Sequence, residues 1–170
     1  DEPIDATTVR VAHIEAVRVT ATVDPTISFS IAGIASGNTR CGVSTSVTTT
    51  ATSVPFGGMT LNSFKTLAQD LTVSTNASGG YVVTASENDE LGLGGSTTPF
   101  IPDTTCDSGT CTISSQQDWN TATNTGFGYS IENVDAASVP FEYDSIGSFD
   151  AKPFANIVDG DTPQTIFSST

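Results

Sequence analysis

Basic residues are scarce in this chain. Arg10, Arg18, Arg40, Lys65 and Lys152 are the only five, against 19 acids, and the net charge is −14. Such a surface has no basic patch to meet phosphate, which excludes nucleic acid as a partner. Histidine is scarcer still: any Ser–His or Cys–His pair would have to use His13. No phosphate-cradling loop, metal-ligating His pair or dinucleotide fingerprint is present. A hydrolase built on two carboxylates stays formally open, but the spread of the acids suits solubility. No apolar run approaches the ~18 residues of a membrane-crossing helix. The expectation is a chain that is not an enzyme, with no cofactor and no bound metal.

Cysteine is also sparse, with three in 170 residues. Cys106 and Cys111 flank the turn sequence Asp107-Ser108-Gly109-Thr110, and a disulfide across the neck of that loop is expected. Two free thiols, or half of a zinc site with only His13 to help complete it, are the alternatives. Cys41 reads either as a small buried apolar residue or as a link to a neighbouring subunit. A disulfide would suit an exported protein. The start at Asp1-Glu2-Pro3-Ile4-Asp5 reads as the mature end left by signal-peptide removal, so an extracellular, cell-surface location is expected.

What the chain does have is hydroxyls and alternation. Ser and Thr exceed a quarter of the residues, while charged residues are only 14%. From Thr7 to Ile31 every second residue is mostly apolar: Val9, Val11, Val17, Val19, Val23, Ile27, Phe29, Ile31. This is the period of a half-buried strand. Extended, Thr7 to Val23 would span about 55 Å, whereas a body of this size has a radius of gyration of only about 15 Å. The pattern falters at Ala12-His13-Ile14-Glu15-Ala16, which reads as a bulge or hinge. Val17–Val23 is then expected in this chain's own sheet. Residues 1–14 are expected to project as an extension from a domain at 15–170. On that extension Thr7, Val9, Val11, His13 and Ile14 would form an apolar-faced strand seeking another sheet edge. A bent strand or hairpin within one domain is the alternative.

Further along, Cys41–Thr52 reads as an exposed strand, Ser63–Gln69 as one helical turn, and Phe56 as a core plug. Leu67–Thr75 and Tyr81–Ala85 alternate around Asn76-Ala77-Ser78-Gly79-Gly80 and predict a hairpin. Asn76-Ala77-Ser78 is also an N-glycosylation acceptor sequence, although Asn equally suits the turn. Glu87 to about Asp107 reads as an irregular, solvated acidic loop with two apolar plugs, Leu91 with Leu93 and Phe100 with Ile101. Trp119 reads as a glycan anchor or as a core residue capping a loop. Residues 126–134 and 139–143 alternate again, and no closing strand stands out after Ile166. By elimination the fold class is all-β: an antiparallel β-sandwich, jelly-roll or Ig-like, of about eight or nine strands, with the N-terminal strand protruding.

The segment VPFGGMTLNSFKTLAQDLTVSTNASGGYVVTAS, Val54–Ser86, resembles a recurrent module of secreted prokaryotic surface proteins. It is broadly similar to β-sandwich subunits of secreted fibres: the TasA/camelysin type of biofilm matrix protein, archaeal bundling pili and spore-coat-U-like pilins. The likeness covers about a quarter of the chain. It implies a homopolymer in which an N-terminal strand inserts into the neighbouring subunit, with cell surfaces or glycans as further partners. In relatives of the module, text resembling DGDTPQTI is followed by another strand pair. Here Thr170 follows, so the resemblance implies either an incomplete domain or a gap filled by a neighbour. A monomeric cell-surface module that binds glycan is the rival expectation.

Overall fold

The structure, a computed structural model, describes residues 8–12, 18–92, 100–135, 137–143 and 149–170. These residues form ten short strands and no helix, an all-β chain as expected. The longest are β1 (Ile27–Gly33), β4 (Gln69–Thr75), β5 (Tyr81–Ala85) and β10 (Gln164–Ser169). They make two antiparallel pairs, β1 with β4 and β5 with β10. Three two-residue pairs complete the set: β2 (Thr39–Arg40) with β3 (Val43–Ser44), β6 (Leu91–Gly92) with β7 (Phe100–Ile101), and β8 (Gln117–Asp118) with β9 (Asp150–Ala151). The two apolar plugs of the acidic region thus meet, Leu91 opposite Ile101. No helix among the described residues is long and apolar enough to cross a membrane.

The predicted hairpin exists as two strands but not as a pair. After Thr75 the chain turns, with Gly80 N–H donating to Ala77 C=O at 3.1 Å, and passes into a different sheet. The cause lies downstream. β10 takes the edge of β5, with Ser169 opposite Tyr81. Gly80, at φ +65°, lies so close to the Ser169 carbonyl that a Cβ there would overlap it. The closing strand was hidden because its register shifts between Thr165 and Phe167. That bulge buries Ile166 and breaks the period of two.

Two other expectations need correction. Cys41–Thr52 is not an exposed strand beyond Val43–Ser44. Thr45 and Thr49 are buried, and their hydroxyls serve backbone groups: Thr45 Oγ1 donates to Ala35 C=O at 2.9 Å. Ser63–Gln69 contains no helical turn. Residues 139–143 keep their alternation in burial, whereas 126–133 are half-buried throughout, and neither stretch forms a ladder. Single bridges join Phe127 to Asp103, Tyr129 to Lys152 and Ser138 to Ser168.

The core has two parts. One is a file of rings: Phe56 edge-on to Phe127, Phe127 stacked on Phe154, Phe154 stacked on Tyr129 at 4.4 Å, and Tyr129 against Phe141. Lys152 lies over Phe141, its ammonium 4.8 Å from the ring centre, and burial lowers its pKa. The other part is the Cys106–Cys111 disulfide packed with Ala151, Trp119 and Phe149.

Candidate functional site

The described N-terminal residues, 8–12 and 18–26, are exposed and lie outside both parts of the core. Val9 is 73% exposed, Val11 88%, Val19 86% and Val23 77%. Thr7, His13, Ile14 and Val17 lie outside the described residues, as does most of the expected hinge. Residues 18–26 form no strand, so the strand expected at Val17–Val23 is displaced to Ile27–Gly33. Past the break at residues 12–16 the alternation runs evenly from Val17 to Ile31 and therefore does not say which part pairs at home. The choice is made by Asn76. Its Oδ1 accepts the Thr26 N–H at 2.6 Å, its Nδ2 donates to the Asp24 carbonyl at 3.2 Å, and its own N–H donates to the Thr26 carbonyl at 3.4 Å. This clamp fixes the β1–β4 register from its open end, with Ile27 opposite Thr75. It also engages the amide nitrogen that glycosylation of Asn76 would modify.

β1 is half-buried only at Ile31 and exposed at its other residues, Ile27 and Phe29 among them. Among the described residues it pairs with β4 alone. Bonded and non-bonded pairs alternate along an antiparallel ladder. Since Thr26 bonds to Asn76, the backbone N–H and C=O groups of Ile27, Phe29 and Ile31 face away from β4. Among the described residues this edge of β1 has no strand partner; it carries an apolar row and follows in sequence the exposed Val9, Val11, Val19 and Val23. This N-terminal ribbon also carries Arg10 and Arg18, two of the five basic residues of a chain with net charge −14.

The remaining candidates have structural partners. Trp119 donates its Nε1–H to Asn124 C=O at 2.8 Å and meets Phe64 edge-on at 5.3 Å. It caps the loop at the disulfide rather than standing out as an anchor for glycan. That loop is further held by the Asp107 carboxylate, which accepts from Asn120 N–H (2.8 Å), Thr121 N–H (3.1 Å) and Asn124 Nδ2 (3.0 Å). Burial alone would raise the Asp107 pKa, but these donors together hold it below the ordinary carboxylate value. Cys41 sits at φ +49°, half-buried, its N–H donating to Glu132 Oε2 at 2.7 Å. Burial, with the charge of Glu132, pushes its thiol up to about 11, which makes it a poor nucleophile at neutral pH.

The acidic region is not wholly solvated. Both carboxylate oxygens of Glu87 and Oδ1 of Asp103 are closed off from solvent and meet no hydrogen-bond donor. Nothing in the residue spacing signals this pair, because 87 and 103 are brought together by contacts with distant segments. Glu87 is held by residues 155–157, and Asp103 lies opposite Phe127. No family model matches this chain, and neither a curated protein nor a solved structure matches it.

Proposed function

We propose that this chain is a structural subunit of an extracellular filament, polymerising head to tail by donating its N-terminal strand to the next copy. The observation that carries this reading is the exposure of Val9 and Val11, upstream of a strand whose outer edge has no partner among the described residues. The donated segment is Thr7 to about Ile14, with Val9 and Val11 as the apolar pegs. The receiving edge is the far side of β1, where the outward groups of Ile27, Phe29 and Ile31 would gain partners. Each apolar side chain buried in this way contributes about 1.5–3 kcal/mol. Donor and acceptor are different surfaces of one chain, so the contact runs head to tail, and without a rotation that closes a ring it generates a fibre. Arg10 and Arg18 favour docking on an acidic neighbour.

In this reading β1–β4 and β5–β10 belong to one antiparallel β-sandwich of about eight or nine strands, completed by the donated strand. The disulfide suits assembly outside the cell. The rival, a monomeric glycan-binding module, is weakened because Trp119 serves the loop beneath it.

Removal of residues 1–14 tests the proposal. Size exclusion and electron microscopy of the shortened chain should show a folded monomer, whereas the intact chain should form filaments. Filaments that survive the deletion would overturn it.

A further inference from the structure

Three segments converge at Glu87. Its N–H donates to Ala155 C=O at 2.9 Å, and its carbonyl accepts Ile157 N–H at 3.1 Å. Asp103 lies two residues after β7, bridged to Phe127 and flanked by bonds from Thr104 N–H to Phe127 C=O and from Phe127 N–H to Pro102 C=O, both 2.8 Å. The Glu87 and Asp103 carboxyl groups are neighbours, each acting on the other's ionisation. As two carboxylates they would offer each other acceptors only. Yet both Glu87 oxygens and Asp103 Oδ1 lack solvent and any other donor.

The charged groups around the pair are all acidic. Asp89 and Glu90 act from the β5–β6 connection, and Asp159 and Asp161 from the loop after Asn156. Asp161 is fixed there by accepting the Asn156 N–H at 3.2 Å. Something positive must stand between Glu87 and Asp103, a proton or a cation. A hard divalent ion takes about six to eight oxygen ligands. Among the described residues no three His, Cys, Asp or Glu side chains group closely enough to hold one. A single proton satisfies the pair as it stands.

We propose that Glu87 and Asp103 share one proton and form a pH-sensitive latch, tying the segment just after β5 to the segment just after β7 and to residues 155–161. Burial, with the contact to Asp103, raises the Glu87 carboxyl to about 8, and burial raises Asp103 as well. The folded chain therefore keeps a proton that the unfolded chain releases near the ordinary Glu value. The latch's contribution to stability is complete below about pH 4.5 and is lost as pH rises through about 8. Above that, two bare carboxylates face each other among four further acids, and the junction opens.

The test is thermal unfolding of the intact chain from about pH 5 to about pH 9, with chelator or with added calcium, for the native protein and Glu87→Gln. The glutamine amide donates to Asp103 and does not titrate. The native midpoint should fall across this range, more steeply than that of Glu87→Gln. Identical slopes would overturn the latch. So would a calcium-induced rise in the native midpoint at high pH that Glu87→Gln lacks, because the pair would then be a cation site. If the variant does not fold, the carboxyl carbon signal of Glu87 in the native chain decides. Titration near pH 8 supports the shared proton, and titration near 4.5 refutes it.

Discussion

Thr49 supplies Ile34 with the partner that a neighbouring strand would normally provide. Its Oγ1 accepts the Ile34 N–H at 2.8 Å, and its own N–H donates to the Ile34 carbonyl at 2.9 Å. The same hydroxyl donates to the Ala68 carbonyl. Residues 34 and 68 would be the next rung of the β1–β4 ladder, and Thr49 is inserted into that rung. Gly33 lets the insertion happen, since a Cβ there would overlap the Thr49 backbone.

Thr49→Val keeps the shape and removes the hydroxyl. It strands a buried N–H on Ile34 and takes a donor from the Ala68 carbonyl. The expected loss is about 1–3 kcal/mol in urea unfolding. An unchanged midpoint would mean that water fills the rung equally well.

Gly79 and Gly80 should respond in opposite ways to alanine. Gly80 combines φ +65° with the Ser169 carbonyl against its α-carbon, so Gly80→Ala should cost more than about 1 kcal/mol and loosen β5 from β10. Gly79 has open space around it, so Gly79→Ala should be neutral or stabilising by up to about 1 kcal/mol. Thermal midpoints of the two variants check the contrast.

Reduction of Cys106–Cys111 should lower stability by about 2 kcal/mol, since the ring it closes is short. The only tryptophan in the chain, Trp119, packs against that disulfide, so its emission should shift on reduction. Constant emission with a falling midpoint would show that the loop keeps its shape without the bond.

The strands at 69–75 and 81–85 were legible because each alternates cleanly and a turn sequence lies between them. Their partners were not, because pairing depends on which distant strand wins the edge. β10 wins β5 through a bulge at Ile166 that conceals its period, and Asn76 draws β1 to β4 by a side-chain clamp with no periodic signature. The buried threonines 45 and 49 read as surface residues because their hydroxyls, not their methyl groups, decide where they sit. The apolar face of the N-terminal ribbon was plain in the sequence, but the point where the home strand begins was not. Glu87 with Asp103 left no trace, since the two lie 16 residues apart and each is held by a distant segment, Glu87 by 155–157 and Asp103 by Phe127.

Strand exchange can be trapped between two differently marked copies. Both would carry Cys41→Ser, one with Val11→Cys and the other with Phe29→Cys, mixed after unfolding and refolded together under mild oxidation. Donation of the ribbon to the far side of β1 predicts a covalent dimer containing one chain of each kind. If no mixed dimer forms, while a single chain bearing both changes readily closes on itself, the ribbon belongs to its own subunit and the filament account fails.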